Sequence, residues 1–266
     1  MTDVGHVSLV GAGPGDPALL TRQAVVRLRH ADLVLYDALV DVRALAIARG
    51  ARRFFVGKRA GRHALSQQEI QALMIRAARR GQHVVRLKGG DPFLFGRGGE
   101  EAQALRAAGI PFDVVPGVTS AVAAPALAGI PVTHRGLSAA LLVVSGHDEQ
   151  VFSDAIGALR PNGVTVVIMM GVGRRSALAA QLVDRGWAAA TPAAIVSDGS
   201  RPTQQVWRGT LEQIANGAVA LHGDGPAVIV VGDVAALDLA ALPAVEAEDA
   251  SPGVVRAGLS APRSRS

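Results

Sequence analysis

The sequence predicts an α/β protein made of two α/β domains with a cleft between them, and three observations lead there. Apolar strand-like runs alternate with stretches of helical spacing along most of the 266 residues. A Pro-Gly pair at 116–117 interrupts the alternation. A second apolar series follows, with its last strands closely spaced. Continuous apolar strands joined by helices indicate a parallel sheet covered on both faces. The spacing predicts strands over 7–10, 33–36, 53–56, 84–87 and 112–115. Between them, helices are predicted over 20–29, 42–48, 67–80 and 100–108. Pro116-Gly117 then breaks the pattern, and Thr119 is placed to cap a small-residue helix running to about 128.

In the second series, strands are predicted over 140–145, 164–169, 193–196, 204–208 and 227–231, with helices over 154–159, 176–185 and 211–215. The close spacing of the later strands predicts hairpins and a mixed sheet. The expected organisation is an N-terminal domain over 1–115, a C-terminal domain over 116–242, and a disordered tail over 243–266, where Ala, Pro, Ser and scattered charge replace apolar periodicity. The halves show no sequence repeat.

Composition narrows the function classes. No apolar run reaches the roughly 18–20 residues that span a bilayer, and the N-terminus lacks the basic-then-apolar pattern of an export signal. With no cysteine there is no disulfide or thiolate nucleophile. A cytoplasmic protein without a membrane partner is expected. The formal charge of +5 suits either nucleic acid or a small polyanion. Aromatics make up 3% of residues, with one Tyr and two Trp, leaving few platforms for stacked bases. The small acidic ligand is therefore the favoured partner over nucleic acid.

The most informative run is Leu87-Lys88-Gly89-Gly90-Asp91-Pro92-Phe93-Leu94-Phe95-Gly96-Arg97-Gly98-Gly99-Glu100-Glu101. It joins a strand to a helix, a connection that ordinarily takes about two to six residues. Five glycines within eleven residues put bare backbone where a ligand can approach. The earlier run Gly11-Ala12-Gly13-Pro14-Gly15-Asp16-Pro17 also follows a strand. Its third Gly comes one residue early for a dinucleotide fingerprint, and no Gly-Lys-Ser/Thr closes it as a P-loop. Asp32 lies about 20 positions on, where a nicotinamide-binding turn has its acidic residue, so that reading, a turn that presents carbonyl and amide groups to an uncharged or cationic ligand, and a turn alone all remain open.

Strand C-termini border the ligand crevice in parallel α/β sheets. Asp37 ends the second strand, either as cap of a helix starting near Ala38 or as a functional carboxylate. Gly57-Lys58-Arg59-Ala60-Gly61-Arg62-His63 ends the third, either as a solvated loop or as a basic site wall. Asp37, Lys58 and Asp91 would then share one sheet edge. Pro116-Gly117-Val118-Thr119-Ser120 offers hydroxyls at the junction, and Gly129-Ile130-Pro131-Val132-Thr133-His134-Arg135 adds a second basic cluster. Ser145-Gly146-His147 ends a strand without a G-x-S-x-G elbow, which disfavours a hydrolase. His134 and His147 lack the companions of a metal site, so no metal is expected.

Taken in order and spacing, Gly11–Asp16, Leu35–Asp37, Val56–Arg59, Gly89–Glu101, Pro116–Ser120 and Gly129–Arg135 resemble the uroporphyrinogen-III C-methyltransferases of the tetrapyrrole methylase family. The resemblance spans about 7–231. It implies the tetrapyrrole methylase (class III methyltransferase) fold, usually a homodimer, with S-adenosyl-L-methionine in the cleft and S-adenosyl-L-homocysteine as its product. It further implies cofactor contacts from Pro14, Gly89, Gly90, Asp91, Leu94, Thr119, Ser120, Met170, Gly199 and Ala227, with Asp37 as proton acceptor and Lys58 as proton donor. The implied substrate is uroporphyrinogen III, methylated at C2 and then C7 to give precorrin-2 through precorrin-1. Lys58, Arg59, Arg62, Arg97, His134 and Arg135 would form a basic lining for its eight carboxylates. Gly136 stands where the family commonly has an acidic residue, and Ser145 where it tends to have Thr. The dehydrogenase and ferrochelatase module of some relatives has no counterpart in this sequence, so the expected end point is the methylated product.

Overall fold

The computed structural model describes residues 4–57, 65–161 and 163–240. Lys58, Arg59 and Arg62, and the tail expected over 243–266, lie outside the described residues. The α/β class is as predicted, and the described residues form two five-stranded sheets. The first holds β1 (His6–Gly11), β2 (Leu33–Tyr36), β3 (Arg52–Phe55), β4 (His83–Lys88) and β5 (Phe112–Val115) in the order β3-β2-β4-β1-β5, every pair parallel. The second holds β6 (Ala140–Ser145), β7 (Val164–Met169), β8 (Pro192–Ser197), β9 (Gln205–Thr210) and β10 (Ala227–Val231) in the order β6-β7-β10-β8-β9. β6 and β7 are parallel, and the remaining pairs are antiparallel.

Among the described residues eight helices cover these sheets: α1 (Arg22–Arg29), α2 (Val42–Leu45), α3 (Gln67–Ala78), α4 (Gly98–Ala107), α5 (Ser120–Leu127), α6 (Glu149–Ile156), α7 (Arg175–Asp184) and α8 (Leu211–Ala215). Alternation along β4 sends Val85 and Leu87 to the face packed by Leu28 of α1. Val84 goes to the face packed by Ile70 and Met74 of α3 and Leu105 of α4. The second sheet buries Ile168, Ile195 and Ile229 under Phe152, Leu178 and Leu182 of α6 and α7. Its other face takes Ala121 and Ala124 of α5 against Val167, Val196 and Val228. α5 thus leaves the first sheet and packs on the second. Small side chains let it approach closely.

Two predicted elements are corrected. α6 starts at Glu149 rather than 154, because Asp148 caps it and accepts the N–H groups of Gln150 and Val151 at 2.9 and 3.0 Å. No helix begins at Ala38. Asp37 accepts the N–H of Leu39 at 3.1 Å in a turn, and α2 starts later under the Asp41 cap. Among the described residues no helix is long and apolar enough to cross a membrane.

Candidate active site

A cavity of about 430 Å³ lies between the sheets, at the carboxyl ends of the first sheet's strands. Its walls follow from topology. β1, β2 and β4 are parallel, so the loops leaving them emerge on one edge. β10 runs antiparallel to β7 and β8, so its start meets their ends. Gly13 and Gly90 pair as an isolated bridge, each N–H reaching the other's carbonyl (3.2 and 2.7 Å), and both adopt positive φ (72° and 65°). A side chain at either position would strain the turn that joins the two loops.

Every described residue in which the resemblance implies a cofactor contact lines this cavity. Pro14, Gly89, Gly90, Asp91 and Leu94 come from the first sheet's loops, and Thr119 and Ser120 from the start of α5. Met170 and Gly199 follow the ends of β7 and β8, and Ala227 opens β10. Thr119 also caps α5, its Oγ1 accepting the Ala121 N–H at 3.2 Å. Among the described residues five non-glycine residues hold positive φ: Phe95, Arg97, Met170, Asp198 and Ser200. Three line the cavity and the other two flank Gly199. Such conformers cost about 1–3 kcal/mol each and gather where a site dictates the backbone.

Asp37 and Arg97 also line the cavity. The Asp37 side chain is half-buried, with Oδ2 3.6 Å from Nη2 of Arg86. Arg97 forks onto Glu100 at 2.7 and 2.8 Å. His134 and Arg135 are exposed and stand apart from the cavity wall. His134 Nδ1 lies 2.8 Å from the Arg135 carbonyl, and its backbone bridges to Ser138. The motif at Ser145 is local: its Oγ accepts the His147 N–H at 3.3 Å.

Sequence reasoning missed the cavity's charged floor. Arg86, Lys88 and Glu101 are 4%, 3% and 0% exposed. Arg86 Nε donates to Glu101 Oε1 at 3.0 Å, Lys88 Nζ stands 3.0 Å from Oε2, and Gln67 Nε2 donates to Oε1 at 3.1 Å. Burial, then the neighbouring Arg86 charge, push the Lys88 ammonium below the usual lysine range, against the opposing pull of Glu101 and Asp37. The signal was present: two cations at i and i+2 on a central strand must share one buried face and need a partner there.

The model of tetrapyrrole (corrin/porphyrin) methylases matches residues 6–215. The chain belongs to that family. This tetrapyrrole methylase is 47% identical over 235 residues to siroheme synthase of Photorhabdus laumondii, covering 88% of the chain and 50% of the relative. It is 49% identical to siroheme synthase of Psychrobacter over 236 residues, covering 88% and 48%. The chain spans about half the length of the curated relatives it matches. The uroporphyrin-III C-methyl transferase of Thermus thermophilus, solved with S-adenyl homocysteine, superposes with a TM-score of 0.75 at 44% identity, covering 86% of this chain and 98% of that one. A cobalt precorrin-4 methyltransferase superposes with a TM-score of 0.72 at 26% identity, covering 86% and 95%.

Proposed function

We propose that this tetrapyrrole methylase transfers methyl groups from S-adenosyl-L-methionine to uroporphyrinogen III, at C2 and then C7, giving precorrin-2 by way of precorrin-1. The observation that carries the reading is the convergence of ten implied cofactor contacts, drawn from both sheets, on one cavity. The Thermus thermophilus protein, solved with the demethylated donor, supports it. The cavity suits such a donor, because Gly89, Gly90 and Gly199 present bare backbone and Leu94, Met170 and Ala227 present apolar surface.

When bound, the sulfonium supplies an electrophilic methyl whose bond electrons return to sulfur as a macrocycle carbon forms the new C–C bond. The chain's residues hold the partners in line, and orientation of this kind supplies several kcal/mol of a barrier. The methylated macrocycle is then one proton too positive. Asp37, at the cavity wall, accepts that proton directly or through one water. Lys58 serves as proton donor or anchors a substrate carboxylate. Arg97 meets a second carboxylate, and Arg59, Arg62, His134 and Arg135 are proposed to bind the remaining ones. The working unit is proposed to be a homodimer, with each chain divided near Val115–Gly117.

Anaerobic incubation of the protein with uroporphyrinogen III and S-adenosyl-L-methionine, followed by mass analysis, tests the reading. Products carrying one and then two added methyl groups are expected. Unmodified macrocycle would refute it.

A further inference from the structure

The floor of the cavity carries an arrangement that stability alone does not explain. Arg86 and Lys88 leave β4 on the face covered by α3 and α4, and Glu101 of α4 meets both. A buried carboxylate costs several kcal/mol in lost hydration, and apolar side chains of similar volume are often as stabilising or more so. What the cluster supplies is a fixed guanidinium. Nε of Arg86 is held by Glu101, and Nη1 donates to the carbonyls of Leu87 and Leu35 at 3.1 and 3.5 Å. Those contacts set the plane of the fork and turn Nη2 toward Asp37.

Asp37 is held in a complementary way. Its Oδ1 accepts the Leu39 N–H, whereas Oδ2 lies 3.6 Å from Nη2. That separation is too long for a hydrogen bond yet close enough for charge attraction. Among the described residues no donor hydrogen-bonds Oδ2, so it is oriented with its lone pairs open. A direct hydrogen bond from the guanidinium would compete with an incoming proton.

We propose that Arg86 and Glu101 are positioning residues: Glu101 locks the Arg86 guanidinium, which in turn presents Oδ2 of Asp37 as the proton-accepting atom. The proposal rests on the reading of Asp37 as proton acceptor. It extends that reading to two buried residues and to one named oxygen.

Arg86→Lys and Glu101→Gln, each made alone and in combination with Asp37→Asn, test it in the intact chain. Each single variant is expected to lower kcat by about tenfold or more, within the range ascribed to general acid–base groups. Affinity for S-adenosylhomocysteine by calorimetry, and KM for uroporphyrinogen III, should stay within about threefold. Added to Asp37→Asn, neither change should slow the enzyme further, because residues acting through one group are non-additive. A merely structural role would instead multiply the losses. Multiplied losses, or a kcat within about twofold of wild type in Glu101→Gln, overturn the proposal. If Glu101→Gln loses its cooperative melting transition, Arg86→Lys carries the same comparison and decides it alone. A wild-type protein that methylates no macrocycle refutes the proposed function, whereas an active wild type with additive variants refutes only the positioning role.

Discussion

The Asp91 carboxylate accepts the backbone N–H of Gly117 at 3.0 Å, tying the glycine-rich loop after β4 to the segment that leaves β5. Its other oxygen accepts the Phe93 N–H at 2.8 Å within the same loop. Both carboxylate oxygens are thus committed to backbone donors beside the cavity. The residue shapes the loop junction as well as lining the cavity.

Asp91→Ala leaves those two donors without their partner. A loss of about 1–3 kcal/mol in stability is expected, together with about tenfold weaker binding of S-adenosylhomocysteine. Urea denaturation and calorimetry measure the two effects separately. Unchanged affinity in a destabilised protein would confine Asp91 to a scaffold role.

Gly117 is as constrained as its partner. A Cβ there would press on the Gly90 carbonyl oxygen and stand 2.7 Å from the Gly11 Cα, with backbone on each side and no flexible side chain to yield. Gly117→Ala is expected to cost about 3 kcal/mol, the upper end for overpacking. The change in urea midpoint measures it, and a midpoint matching wild type would show that the junction can spread.

The strands of the first sheet and the cavity edge were legible in sequence because β1, β2, β4 and β5 are short apolar runs ended by Gly, Asp or Pro, and parallel strands deliver those ends to one side; their order across the sheet was not. The start of α6 was not, because its apolar spacing hid the cap at Asp148. Asp37 was ambiguous because an aspartate after a strand serves equally well as a cap. The charged floor escaped notice because Arg86 sits inside a run that reads as apolar. Only the third dimension brings Glu101, fifteen residues away on another element, against it.

Arg97 lines the cavity wall, whereas Arg135 is exposed on the surface apart from it. Arg97→Ala and Arg135→Ala are each expected to raise KM for uroporphyrinogen III by about tenfold, the worth of one charge-assisted contact, with kcat changed less. Steady-state kinetics at saturating S-adenosyl-L-methionine measures this. A fall in kcat at constant KM would move either residue from binding into catalysis.

The opposite edge of the first sheet offers a pH test that leaves the cavity alone. At the amino ends of β1, β4 and β5, Asp113 Oδ1 takes Ser8 Oγ at 2.6 Å and His6 Nε2 at 2.8 Å, while Oδ2 takes Nε and Nη2 of Arg27 at 2.9 and 2.7 Å. Burial alone would raise this carboxyl, but the hydrogen bonds from Ser8, His6 and Arg27 outweigh it and hold the group below the ordinary aspartate range. A carboxyl depressed by folding contributes stability in full above the unfolded value of about 3.9, and loses it as pH falls through the lower folded value. Asp113→Asn should therefore lower the urea midpoint at pH 7, and its deficit against wild type should shrink progressively below pH of about 4. Methyl transfer at neutral pH should stay within about twofold, because Asp113 lies at the far end of the strands from the cavity. Urea titrations at neutral pH and on either side of the aspartate range measure the trend. A deficit independent of pH would assign Asp113 to packing and remove its charge from the account.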